Sequence, residues 1–228
     1  MTGSTLVTAN LLRIYRPIGL WFWSAAIVGV GTALAVVLRF ADLPFSLWLL
    51  IAGSAAKYWL SVIGVLLVSS HLRQFVATGV TRRGFLAGAG LFGLIGALLF
   101  TAVVTAGHGI EQWVQELARP LPDGYPLLSV GSEVLHVLPP ELAYLVSGAA
   151  ITAGFYRFGP LRGLLLILPG VLPAAVSEGL LGRGPRGEPV TRLLPLGLAV
   201  AASLLVTALV AVICQRLIRD VTIRRAMG

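Results

Sequence analysis

Three ionisable residues lie where an apolar chain tolerates charge poorly. Lys57 sits near the middle of the apolar run from Leu43 to Ser70, and Glu141 and Glu178 fall in or beside later runs. A charge in hydrocarbon is costly, so such a group pairs, reaches an interface or faces a polar path. All three solutions are open to Lys57. Its ammonium can snorkel to an interface, pair with Glu141 or Glu178 inside a bundle, or line a translocation path. Both carboxylates fall near the predicted outer ends of their segments. Glu141 follows Pro139 and Pro140, and Glu178 follows Pro169 and Pro173. Prolines kink or divide helices, and carriers place transport sites at such breaks.

The other reactive residue types do not assemble. His71, His108 and His136 are scattered and fit no zinc-protease spacing. Ser177 and His136 could be drawn into a hydrolytic triad, but no nucleophile-elbow sequence surrounds the serine. The single cysteine, Cys214, excludes an intrachain disulfide and any multi-cysteine zinc or iron–sulfur centre. No G-x-x-x-x-G-K-[ST] sequence occurs, nor a G-x-G-x-x-G after a strand. The chain therefore shows no catalytic site, no metal site and no nucleotide or other cofactor site of its own.

The elements that hold these residues can be read from composition. Of 228 residues, 57% are hydrophobic and 11% charged, and the mean hydropathy is +0.92. Soluble domains carry about 25% charged residues, so a water-facing shell cannot be built from this chain. Roughly 20 apolar residues cross a bilayer, and the chain offers six candidates, the fourth interrupted by Pro139, Pro140 and Glu141. They are Ile18–Leu38, Leu43–Ser70, Phe85–Gly107, Leu142–Gly154 (with Val134 its earliest start), Leu161–Leu181 and Leu193–Cys214. Unbroken apolar runs, not alternating ten-residue segments, select helices over a barrel. The expectation is an all-α integral membrane protein, a six-helix bundle spanning 18–215. A short segment, 1–17, precedes it, and 216–228 form a tail. Arg13 and Arg16 before a run ending in Ala33-Leu34-Ala35 have the look of a cleaved signal. That run is long and five further segments succeed it, so it reads as an uncleaved first helix.

The net charge of +8 reflects topology rather than nucleic-acid binding. With the N-terminus in the cytoplasm, the inner segments take Arg13, Arg16, Arg73, Arg82, Arg83, Arg157, Arg162, Arg216, Arg219, Arg224 and Arg225. The outer ones keep Arg39, Arg119, Arg183, Arg186 and Arg192. The bias places both termini inside. Leu6–Arg16, with Arg13, Tyr15 and Arg16, reads as an interfacial helix ended by Pro17. The stretch His71–Gly84 continues the second span beyond the bilayer. Gly79 permits a turn there, and Thr81 can cap a further short helix or the start of span three. The stretch is either a docking element for a partner or a basic loop that anchors topology. On the outer side, Ile110, Trp113, Val114 and Leu117 share a helical spacing that suits a surface helix. Leu127–Leu138 is expected to dip into the bilayer before Pro139. Glycine fills 27 positions, and the row Gly84, Gly88, Gly93 and Gly96 implies close helix packing.

This layout resembles the transmembrane subunit of bacterial ABC-2-type exporters. Leu6–Arg16 matches that family's interfacial helix, and Leu72–Gly84 matches its ATPase-contacting connection. Arg82-Arg83-Gly84-Phe85 is similar to the basic turn entering span three in its small members. Pro169–Leu181 falls where the family has partly re-entrant outer helices. The long outer connection between spans three and four departs from the pattern. The resemblance implies a subunit in the bacterial cell membrane, paired with a second copy or a paralogous permease and with separate ATPase subunits that bind ATP and Mg. It also implies that His71, Arg73, Gln74, Phe75, Arg82, Arg83 and Gly84 couple to the ATPase. Lys57, Glu141 and Glu178 would belong to the translocation path. A non-transporting scaffold and a proton-coupled carrier fit the same topology.

Overall fold

The computed structural model describes residues 3–41, 43–118, 120–182 and 194–219. Arg119, the loop arginines Arg183, Arg186 and Arg192, and Asp220, Arg224 and Arg225 of the tail lie outside the described residues. The described chain is built from helices, α1 (Gly3–Val37), α2 (Leu49–Ala77), α3 (Arg82–Ala118), α4 (Val130–Leu165), α5 (Ile167–Leu181) and α6 (Leu196–Arg219). All but α5 are long and apolar enough to cross a membrane, and α5 is a shorter apolar helix. The architecture is that of an all-α, multi-pass membrane bundle.

The helices run further than the apolar segments suggest. Pro17 lies inside α1, so the expected break between an interfacial helix and the first span is absent. Val7, Leu11 and Tyr15 are buried, and Thr8 Oγ1 donates to the Gly88 carbonyl of α3 at 2.9 Å. The first turns of α1 thus pack on protein along the face expected to enter lipid. Likewise, α3 continues through Ala118 and carries Ile110, Trp113, Val114 and Leu117 on its own exposed surface. No separate surface helix forms there. The segment 130–138 joins 142–154 in one helix, with Pro139 and Pro140 inside it.

Breaks occur where backbone freedom is needed. Gly79 takes a φ of 87° in the turn between α2 and α3, a conformation that costs glycine little. Gly159 takes φ 78° and ψ −178° before Pro160 and kinks the end of α4. Residues 163–170 lie against 151–155, with Gly163 beside Phe155, Leu166 beside Gly154 and Gly170 beside Ile151. The chain thus reverses at Gly159, and the expected span Leu161–Leu181 runs back along the preceding helix with one turn at Leu166 inside it. Pro173 lies within α5 without dividing it.

Packing centres on α4, which contacts α2, α3, α5 and α6. The buried core gathers Leu60, Ile63, Phe85, Phe92, Ala97, Phe100 and Leu145. Charges separate between the two ends of the bundle. Arg73, Arg82, Arg83, Arg157 and Arg219 gather at one end, and Glu111, Glu116, Asp123 and Glu133 at the other.

Candidate functional site: an ion pair in the bundle and an arginine-bearing turn

Lys57 projects from the middle of α2 toward α5, where its Nζ forms an ion pair with Glu178 Oε1. Pairing inside the bundle is the solution the fold adopts. The two side chains are 22% and 32% exposed, so the pair lies at a lateral edge rather than at the centre. The Tyr144 ring of α4 stands 5.6 Å from the ammonium, a cation–π distance. Tyr58 meets Tyr144 edge-on, with ring centroids 5.4 Å apart.

Glu141 occupies the next layer inward. It is fully buried, and Thr101 Oγ1 of α3 donates to its Oε2 at 2.8 Å. Its other oxygen has no hydrogen-bond partner. Lys57 is near enough to interact with it electrostatically. A small cavity of about 50 Å³ touches Lys57, Glu178, His136 and Pro140. The three charges singled out by sequence thus converge on α2, α4 and α5. The arrangement neutralises Lys57 with Glu178 and holds Glu141 on Thr101.

π-helical turns at Leu49–Gly53 and Leu67–His71 flank the Lys57 segment, a feature common at functional sites. Helix α2 continues through the second turn to the arginine-rich end. There Phe75 and Phe85 pack with ring centroids 5.7 Å apart, and Thr81 Oγ1 accepts from the Gly84 amide at 3.1 Å. The expected turn and cap are both present.

The residues grouped as an ATPase contact divide into two kinds. Arg73, Gln74 and Arg83 are exposed, whereas His71 and Phe75 are buried and Gly84 is half-buried. His71 lies against the Tyr15 ring, and its Nδ1 is 3.1 Å from the Leu66 carbonyl oxygen. Arg82 donates to the Ile218 and Arg219 carbonyls at 3.3 and 3.1 Å. Arg157 donates to the Leu217 carbonyl at 3.1 Å. Both guanidiniums satisfy the open carbonyls at the end of α6, where helix ends favour cations. Arg73 also lies 5.3 Å from the Tyr156 ring. Of the predicted interfacial residues, Arg13 and Arg16 are exposed and Tyr15 is buried.

Sequence reasoning missed a polar assembly at the acidic end. Glu111, buried in α3, accepts from the Leu47 and Trp48 amides at 2.8 and 3.1 Å and from the Ser46 hydroxyl. It thereby caps the start of α2 from another helix. Ser46 Oγ in turn accepts from the Leu49 amide at 3.1 Å. His108 is fully buried, with Nδ1 3.4 Å from Glu133 Oε2. The Tyr125 phenol is pushed well above its ordinary pKa, first by burial and then by the Glu111 charge. Ser46 ahead of an apolar run was a legible capping signal. Its remote carboxylate partner had none.

Comparisons with protein-family models, curated proteins and solved structures give no match for this chain.

Proposed function

We propose that the chain is the membrane-spanning subunit of an ATP-driven ABC exporter in a bacterial cell membrane, with both termini cytoplasmic. A second copy or a paralogous permease would complete the translocation path, and separate ATPase subunits would supply ATP and Mg chemistry. One observation carries the reading. An unbroken helix, α2, connects the Lys57–Glu178 pair to a compact turn that presents Arg73, Gln74 and Arg83. The distance from Arg73 to Lys57 along that helix is about 24 Å at roughly 1.5 Å per residue. A partner pressing on the turn would move the intramembrane pair through this helix and its π-helical turn at Leu67–His71.

The test is affinity purification in mild detergent from the native cell, with an ATP-hydrolysis assay of whatever proteins come along. A double substitution, Arg73→Glu with Arg83→Glu, reverses charge on the exposed face. Arg82 is left intact because it holds the end of α6. An ATPase retained by the native chain and lost by the folded variant is the expected result. A stable, monodisperse chain that brings no ATPase under several extraction conditions overturns the reading.

The Lys57–Glu178 pair beside buried Glu141 favours a second reading, a proton-coupled carrier. Replacing Lys57 in lipid vesicles separates the two. A carrier loses coupling to the proton gradient, whereas an ATPase-driven exporter loses only stability or cargo preference.

A further inference from the structure

Helices α1 and α3 touch near Thr8 and Gly88 and again at an aromatic group further along. Between these contacts they leave a cavity of about 390 Å³. Trp23 and Phe100 close its far end, their ring centroids 5.0 Å apart. Along the walls stand Leu20, Leu60, Ile63 and Leu99. Room comes from two glycines that line it. A Cβ at Gly19 would meet nothing within 4 Å, and one at Gly96 would meet only the Leu60 side chain at 4.0 Å.

The polar groups collect at the other end. Arg16 lines the cavity and is exposed. Among the described residues no carboxylate pairs with it. Arg13, one turn earlier on the same helix, is exposed too. Tyr15 also lines the cavity, its ring packed between His71 and Phe92.

Length adds an independent constraint. From Phe92 to Val103 the α3 wall extends about 16 Å, close to half of a roughly 30 Å hydrocarbon core. The cavity therefore matches one leaflet in depth, with a guanidinium at its polar end. Guanidinium binds phosphate through paired hydrogen bonds, and arginines at a membrane surface attract anionic lipid.

We infer that this cavity binds a phospholipid with an anionic headgroup, drawn from the surrounding leaflet. One acyl chain lies between α1 and α3, and the phosphate meets Arg16. The inference rests on residence in a membrane and is independent of the transport reading.

Native mass spectrometry of the full chain, released from mild detergent, tests it. The probes are phosphatidylglycerol and phosphatidylcholine with identical acyl chains. The native chain should retain one phosphatidylglycerol with about tenfold preference, the scale of one charge-assisted contact. Arg16→Gln should remove that preference. Gly19→Leu, which fills the cavity, should lower retention of both lipids. Arg216→Gln, an exposed charge at the same end of the bundle, should leave retention unchanged. Gel filtration establishes that each variant is folded, and the Arg16 result stands if the Gly19 variant is not. Equal retention of both lipids by the native chain overturns the inference, as does native-like retention by folded Arg16→Gln and Gly19→Leu proteins.

Discussion

Gly64 of α2 and Gly148 of α4 mark a crossing where the two helix backbones approach closely. A methyl group on Gly64 would collide with the Leu145 carbonyl oxygen and sit 2.9 Å from the Ala149 backbone nitrogen. One on Gly148 would collide with the Ser61 carbonyl oxygen and sit 3.0 Å from its carbon. These obstacles are backbone, which cannot rotate aside. Small residues at such crossings let helices in lipid gain dispersion contacts that larger side chains would prevent.

Gly64→Ala and Gly148→Ala are therefore expected to separate α2 from α4 and to destabilise the protein by about 1–3 kcal/mol or more each. Gly29→Ala, on an α1 surface where a Cβ meets nothing, should be near neutral. Thermal unfolding in detergent compares the three variants. A Gly148→Ala protein as stable as the native chain would show that this crossing does not hold the bundle together.

The Lys57–Glu178 pair should show strong non-additivity. Removing one partner leaves a charge that the bundle no longer compensates, which costs about 3–5 kcal/mol when burial is complete. Part exposure of the pair reduces this to about 1–3 kcal/mol. Lys57→Met and Glu178→Met should each lower the melting temperature, and the double variant that combines them should recover most of the loss. A double-mutant cycle with no coupling would show that the pair does not tie α2 to α5.

Tyr125 supplies a pH signature at the acidic end. Its phenol is raised in the folded protein by burial and then by Glu111, while the unfolded chain titrates near pH 10. Below that value both states hold the proton and the contribution to stability is complete. Above it the unfolded state loses its proton first, so stability falls as pH rises, by up to about 1.4 kcal/mol per unit. Denaturation measured from pH 8 upward should show this decline, and Tyr125→Phe should remove that part of it. Matching alkaline profiles for the native and Tyr125→Phe proteins would show that the phenol ionises as freely folded as unfolded.

Local composition was enough to read the chain as a bundle of long apolar helices. Apolar runs such as Phe85–Gly107 and Leu193–Cys214 are long enough for hydrocarbon, and backbone hydrogen bonding in lipid demands helices. The turn at Gly79 and the cap at Thr81 were legible because their signals lie within a few residues. Segregation of arginines from carboxylates came from the same linear reading. So did the need of Lys57 for a partner.

Other choices were settled by contacts between distant segments, which no local signal encodes. Glu178 rather than Glu141 meets Lys57 because α5 folds back along α4 after the kink at Gly159, which brings together groups 121 positions apart. Glu111 caps α2 only because α3 runs on past the apolar segment to Ala118. Pro17, Pro139 and Pro140 stay inside helices despite their usual breaking tendency. Packing offsets the lost backbone hydrogen bonds there, with Val7 and Leu11 buried on α1 and Ala143 and Leu145 on α4. Arg82, grouped by sequence with a partner-facing turn, is held instead by the carbonyls that end α6. Charge and hydropathy are written residue by residue, but the identity of the opposite number across a helix crossing exists only once the bundle has closed.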